Sequence, residues 1–119
     1  DVQWITSTDG THKTLCYYSL GNIISTMYEY YTMVGGLASF DIVKTCDTIS
    51  IEEPLVIPTM CHYSMNRDGL QIYTLEDYND TLAQSHGSQI QYTGPFTYTT
   101  LVELVKDAVD KTFLPARFQ

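Results

Sequence analysis

Residues 16–24 read CYYSLGNII, an apolar and aromatic run that is interrupted at Gly21-Asn22. A short β-prone run that ends in a Gly-Asn turn is typical of a buried strand reaching the edge of a sheet. Gly tolerates a positive φ, and Asn tolerates the left-handed region better than most residues, so this turn can point an amide side chain away from the sheet. The stretch predicts a strand followed by a turn, which is either plain structure or the wall of a site.

The segments around this stretch alternate like further strands. The chain before it predicts a hairpin of residues 2–7 and 13–19, because Asp9-Gly10 is a strong two-residue turn signal. Residues 24–34 fit either a loop or a strand. Gly35-Gly36 follow them and precede the next predicted strand. Four more strands are predicted after that point, with Pro54 as an interruption and Pro58 at an edge or bulge: residues 37–45, 48–51, 55–63 and 70–73.

The hydrophobic period changes to that of helices after residue 73. A first helix is predicted from the cap Thr74 to His86, with Gly87 as its stop. Residues 88–95 predict a polar loop. A second helix is predicted to follow a capping box of Thr100 and Glu103 and to run to Phe113, with an apolar stripe of Leu101, Leu104, Val105, Ala108 and Val109. Strands followed by helices indicate an α+β fold.

Composition and charge narrow the functional classes. The 119 residues carry a formal net charge of −8, which argues against nucleic acid and against an anionic membrane surface as partners. The sequence has no run of about twenty apolar residues, which predicts a soluble piece, and no leader segment. The chain starts at Asp1 without Met, which indicates a cleavage point or a boundary within a longer protein.

Three cysteines, Cys16, Cys46 and Cys61, match no zinc pattern. Cys46 and Cys61 could form a disulfide across a hairpin if the protein matures outside the cell. Cysteines on strands are more often small buried hydrophobic residues, and this is the preferred interpretation.

The amino-acid sequence of the central stretch resembles the YSLGNF signature of the CapA family of poly-γ-glutamate capsule biosynthesis proteins. Residues 18–22 match in full, and Ile23 replaces the usual Phe. Other positions that resemble the family lie before and after this motif: Asp9-Gly10, Pro58-Thr59, Tyr63, residues 72–75 and Asp77-Tyr78. The resemblance spans nearly all of the chain but covers only the C-terminal part of the family's domain.

The resemblance implies that residues 1–119 are the C-terminal portion of a metallophosphatase-like β-sandwich flanked by helices. The family's metal ligands would then lie in an N-terminal half upstream of Asp1, so no cofactor or metal is expected in this chain, and a divalent metal is expected only in the full-length protein. That half is the expected partner. The parent protein would be anchored at the extracellular face of the cell membrane, and this piece alone could self-associate.

The resemblance and the strand ends together give four candidate residues for a substrate-pocket wall: Ser19, Gly21, Asn22 and His62. His62 has a structural alternative, a half-buried strand residue with a hydrogen-bonded ring. His12 and His86 are interpreted as structural or solvated. No catalytic residue is expected in this chain, because Ser19 lacks the Gly-x-Ser-x-Gly elbow that exposes a nucleophile.

Three functional hypotheses remain. The parent is a CapA-type metal-dependent phosphoesterase-like hydrolase, of which this chain alone is inactive, or it is a non-catalytic surface or export component that binds an anionic polymer. The third hypothesis, an autonomous binding module, requires that the piece folds alone. Intact Asp, Asn and His ligands upstream would favour the hydrolase.

Overall fold

The computed structural model describes residues 1–90 and 94–119. Within that part of the chain, a two-stranded and a three-stranded antiparallel sheet precede two α-helices. The prediction of an α+β fold with strands first and helices last is therefore confirmed.

The first sheet is the predicted hairpin, with β1 (Val2–Thr6) paired in register with β2 (Lys13–Tyr17). Its turn contains Gly10 with a φ of +72°. The Asp9 carboxylate accepts hydrogen bonds from the Ser7 hydroxyl at 2.5 Å and from the Thr11 backbone N–H at 3.0 Å. These bonds stabilise the ionised carboxylate and lower the pKa of Asp9 to about 2. Local turn chemistry thus determines this element.

The second sheet has the order β3 (Val34–Thr45), β4 (Thr48–His62) and β5 (Gln71–Thr74). The predicted start of β3 at residue 37 is wrong, because Gly35 and Gly36 pair with Thr59 and Pro58.

The predicted interruption of β4 at Pro54 is also wrong. The two strands shift register between Ser39 and Asp41, where Glu53 takes a φ of +49°. Residues 53 and 54 therefore lie opposite Phe40 in a β-bulge, which accommodates the proline without ending the strand.

The first helix starts later than predicted. Thr74 ends β5, and its hydroxyl bonds the Asp77 carboxylate in a turn. The helix α1 (Asp80–Ser85) is capped instead by Asn79, whose side chain accepts from the Leu82 N–H at 3.0 Å. His86 is its C-cap, and a 3-10 turn (Gly87–Ile90) opens the predicted loop. Residues 91–93 of that loop lie outside the described residues.

The second helix, α2 (Tyr98–Ala108), begins and ends earlier than predicted. Its capping box joins Thr97 and Thr100, so the predicted pair of Thr100 and Glu103 is wrong. Val109 is extended, which ends the helix before Phe113. Two 3-10 turns complete the chain, Lys111–Phe113 and Ala116–Phe118.

The main core lies between the second sheet and the helices. Its buried members come from residue 33 onward and include Met33, Met60, Tyr63, Leu75, Leu101, Leu114 and Phe118. A smaller cluster of Val2, Val56 and Phe113 joins the hairpin to the sheet. Leu101 and Val105 carry the buried stripe of α2, whereas Leu104 is half-buried and Ala108 is exposed. The predicted stripe therefore holds only in part.

The central stretch differs from the predicted buried strand. β2 ends at Tyr17, Tyr18 is 56% exposed and Ile24 is 67% exposed. Residues 24–34 are irregular apart from a 3-10 turn (Tyr30–Thr32) and the start of β3 at Val34. The predicted strand to residue 19 is therefore two residues too long, and its end is not covered.

All three cysteines are free, which rules out the disulfide alternative. Cys46 is exposed in the β3–β4 turn, whereas Cys61 is buried near the other end of β4. The interpretation as small buried residues is correct for Cys61 and wrong for Cys46. Among the described residues, none of the helices has the length and apolar character needed to cross a membrane.

Candidate functional site

The YSLGN segment, residues 18–22, forms one wall of a cleft of about 310 Å³. The start of β3 forms its floor, and α2 forms the opposite wall. Ser19 and Gly21, two of the four predicted wall residues, line it together with Leu20. The other lining residues are mostly small or apolar: Asp1, Val2, Tyr31, Val34, Gly35, Gly36, Val56, Pro58, Leu104, Val105, Ala108 and Val109.

A close crossing of two backbones holds the YSLGN segment in this place. Gly21 forms an isolated antiparallel bridge with Gly35, and the Gly36 N–H donates to the Leu20 carbonyl at 2.7 Å. Gly21 has a φ of +73°, and a Cβ there would lie 2.8 Å from the Val34 carbonyl oxygen. A Cβ on Gly35 would lie 2.7 Å from the Asn22 carbonyl oxygen. Glycine is therefore required at both positions for steric reasons.

Asn22 does not line the cleft. Its side-chain amide donates to the Thr32 carbonyl at 3.1 Å and lies 3.8 Å from the Met27 sulfur. The segment that follows is fixed to the end of β4 and to the residue after it, because the Cys61 thiol donates to the Ser25 carbonyl at 3.3 Å and the Tyr63 hydroxyl donates to the Met27 carbonyl at 2.5 Å. Asn22 thus closes the loop that supports the wall formed by Ser19 and Gly21.

His62 lies in a separate aromatic cluster on β4. Its Nδ1 is 2.9 Å from the Tyr78 hydroxyl, and its ring stands edge-on to those of Tyr73 and His86. Burial lowers the pKa of His62 and raises that of Tyr78, so the pair is neutral near pH 7. This half-buried, hydrogen-bonded ring matches the structural alternative for His62. The structure does not bring His62 together with Ser19 and Gly21 at the cleft.

His86 is fully buried beside His62, with a distance of 5.1 Å between the ring centroids. Its Nε2 is 2.9 Å from the Cys61 carbonyl, and its Nδ1 accepts from the Ser88 N–H at 3.0 Å. The ring is therefore the neutral tautomer with its proton on Nε2. Burial lowers the pKa of His86 to about 4. His86 is structural, and it joins the end of α1 to the C-terminal end of β4.

The described residues do not fit a metal centre. No group of three or more His, Cys, Asp or Glu side chains in residues 1–90 and 94–119 could hold a metal ion. Both nitrogens of His86 are already hydrogen-bonded, and Nδ1 of His62 is occupied by Tyr78. A divalent ion would therefore need ligands from other residues.

The cleft offers mainly apolar contacts. Among its described lining residues there is no Lys or Arg, and the single charged side chain is that of Asp1. The polar groups at its YSLGN wall are the Ser19 hydroxyl, which is 3.4 Å from the Gly21 N–H, and the backbone of this segment. Such a cleft suits an apolar or neutral group better than a polyanion.

Sequence reasoning did not predict the α2 wall of the cleft. Leu104 and Val109 were assigned to a buried stripe, but they face the space beside Gly36 and Val56. The pair Gly35-Gly36 was the available signal, since adjacent glycines in a strand often mark a place where another backbone approaches closely.

Comparison with protein-family models, with curated proteins and with solved structures gives no match.

Proposed function

We propose that this chain is the C-terminal portion of a CapA-type protein of poly-γ-glutamate capsule biosynthesis, and that it supplies a wall of a binding site whose chemistry lies in other residues. The parent protein would be a metallophosphatase-like sandwich, a divalent metal would be held by its N-terminal half, and a membrane anchor would place it at the extracellular face. In this proposal the chain alone is inactive.

The observation that carries the proposal is the position of the YSLGN segment. The five residues that match the family signature include Gly21, which crosses the Gly35 backbone, and Ser19, which lines the cleft. A signature is expected where a steric requirement lies beside a binding site, and here the sterically required Gly21 lies two residues after Ser19 at the cleft. The α+β order of elements also agrees with the C-terminal portion of such a domain.

The charge of the cleft decides which part of a substrate it would contact. Poly-γ-glutamate carries a carboxylate on each residue, and the described lining residues of the cleft include no Lys or Arg side chain. The cleft would therefore receive an apolar part, either the methylene groups of the polymer or side chains of the N-terminal half. The cations that bind the carboxylates would come from elsewhere in the parent.

Two proteins test this proposal: the 119-residue chain and the protein encoded by the complete gene. Binding of γ-linked glutamate oligomers is measured by calorimetry, and hydrolysis of a generic phosphoester is measured with added manganese. We expect binding or turnover in the complete protein and neither in the 119-residue chain. A complete protein that neither binds the oligomer nor hydrolyses a phosphoester would contradict the proposal.

The alternative is a non-catalytic surface or export component that binds the anionic polymer. Binding without turnover in the complete protein would favour it. Micromolar binding of the oligomer to the 119-residue chain alone would instead move the polymer site into this portion, against the charge of its cleft.

A further inference from the structure

Residues 86–88 form a buried turn, named here the His86 turn, that follows α1 and packs against the end of β4. Nε2 of His86 donates to the Cys61 carbonyl at 2.9 Å, and Nδ1 accepts from the Ser88 N–H at 3.0 Å. The Ser88 hydroxyl lies 2.8 Å from the same Nδ1. Because His86 and Ser88 are fully buried, the ring and the Ser88 N–H depend on each other for their hydrogen bonds.

A proton on Nδ1 of His86 is incompatible with this arrangement. The neutral ring donates from one nitrogen and accepts at the other, whereas the imidazolium ion only donates. The Ser88 hydroxyl can rotate and accept from a protonated Nδ1, but the Ser88 N–H then faces a donor. A buried N–H without an acceptor costs free energy, and a buried charge costs more. Protonation of His86 therefore favours separation of the His86 turn from β4.

The surroundings of the His86 ring offer a positive charge no compensation. The titratable residues around it all come from the end of β4 and the residue after it: Cys61, His62 and Tyr63. The ring of Phe96 packs on another side, with 5.5 Å between the centroids. Among the described contacts of the ring there is no Asp, Glu, Lys or Arg side chain. Burial, and then repulsion from a protonated His62, lower the pKa of His86 to about 4.

The His86 turn is connected to the loop that supports the YSLGN wall. This supporting loop, residues 22–32, is closed by the bond from the Asn22 amide to the last carbonyl of the loop. The Gly87 N–H donates to the Tyr63 carbonyl at 2.9 Å, and a Cβ on Gly87 would overlap the Tyr63 ring. The hydroxyl of the same tyrosine donates to the Met27 carbonyl in the supporting loop. Displacement of the turn therefore removes packing that holds the loop on the end of β4.

We propose that the His86 turn is a proton-sensitive switch: protonation of His86 releases the turn from β4 and, through Tyr63, frees the supporting loop. The opening is local, because the hydrogen bonds that protonation breaks lie within the turn and between it and the end of β4. The further consequence, a cleft wall that loosens in acid and regulates binding there, rests on the function proposed above.

The buried thiol of Cys61 reports the opening, because it donates to the Ser25 carbonyl of the supporting loop. The 119-residue chain is labelled with a dithiopyridine, which reacts with thiols in mild acid, and each labelled cysteine is quantified by peptide mass spectrometry. The exposed Cys46 corrects for the intrinsic effect of pH on the reaction. With a pKa of 6.5 for His86 when open and about 4 when closed, the ratio of Cys61 to Cys46 labelling rates should increase roughly twentyfold from about pH 7 to about pH 5.

Three variants identify the group that titrates. His86→Gln offers an amide donor to the Cys61 carbonyl and an amide oxygen to the Ser88 N–H but takes up no proton, so its labelling ratio should not change with pH. His12→Gln is the matched control, because His12 is exposed between β1 and β2, and it should keep the full increase. His62→Gln should keep an increase of at least about tenfold.

Urea below the unfolding transition provides a measurement that needs no variant. A local opening exposes little surface, so the Cys61 labelling ratio at about pH 5 should not rise with urea.

Three results would overturn the proposal: a wild-type ratio that is the same at both pH values, an equal increase in His86→Gln, or a ratio that rises with urea as global unfolding does. If His86→Gln does not fold, the wild-type pH and urea series decide alone. No polymer is present in these measurements, so their failure is distinct from a failure of the complete protein to bind the oligomer.

Discussion

The close approach of the YSLGN segment to β3 allows the loss of unfolding free energy in Gly21→Ala to be predicted. Gly21 has a φ of +73°, and forcing an L-residue into the left-handed region costs about 1–2 kcal/mol. The added Cβ would also lie 2.8 Å from the Val34 carbonyl oxygen and 3.1 Å from the Gly35 Cα. Both contacts are with backbone, which cannot rotate away, and such overpacking typically costs a further 1–3 kcal/mol, roughly.

Gly10→Ala is the matched control for this substitution. Gly10 has nearly the same φ, +72°, but a Cβ there meets nothing within 4 Å. Its cost should therefore be the left-handed penalty alone, about 1–2 kcal/mol. The difference between the free energies of unfolding lost by the two variants therefore measures the cost of the close backbone contacts at Gly21.

Urea denaturation followed by circular dichroism measures both free energies of unfolding. We expect Gly21→Ala to lose about 1–3 kcal/mol more than Gly10→Ala, with unchanged dependence on urea. Equal losses would show that the backbones do not approach closely at Gly21, and the described geometry of the cleft wall would be wrong.

Three further predictions concern the core, pH and thiols. Leu101→Ala should lower the free energy of unfolding by about 2–5 kcal/mol, because Leu101 is fully buried. Lys106→Ala, at an exposed position of the same helix, should change it by no more than about 0.5 kcal/mol. Equal melting temperatures of the two variants would contradict the orientation of α2. The pKa of His86 falls from 6.5 in the unfolded chain to about 4 when folded, so the unfolded state binds more protons between these two pH values. The stability that is present above pH 6.5 should therefore decline by up to about 3 kcal/mol as the pH falls to 4. A free energy of unfolding of the wild type that is flat over this window would contradict the buried neutral ring. A thiol reagent should modify Cys46 at once and Cys61 only after unfolding, and fast modification of Cys61 in the native protein would contradict its burial.

Sequence reasoning was most reliable where structure depends on adjacent residues. The hairpin around Asp9-Gly10 follows from its turn chemistry alone. Helix starts were less certain, because several polar residues compete for each cap. Asn79 takes the role predicted for Thr74, and Thr97 takes that predicted for Thr100, since the buried apolar residues select among the possible caps.

The candidate site was only partly predictable for a physical reason. Ser19 and Gly21 line the cleft, and the sequence pointed to them because the turn at their position has a local signature. The α2 wall with Leu104 depends on packing between segments about 70–85 residues apart, which no local pattern encodes. The side-chain amide of Asn22 donates to the Thr32 carbonyl, a contact within the following loop that the Gly-Asn turn signature does not encode.

The affinity of the complete protein for γ-linked glutamate oligomers, measured for two tryptophan variants of α2, tests the central claim most directly. Ala108→Trp places a large ring in the cleft, whereas Lys106→Trp places it on an exposed position of the same helix. If the YSLGN cleft is part of the binding site, Ala108→Trp should weaken binding at least about tenfold and Lys106→Trp should leave it unchanged. Equal affinities for both variants and the wild type would contradict the account.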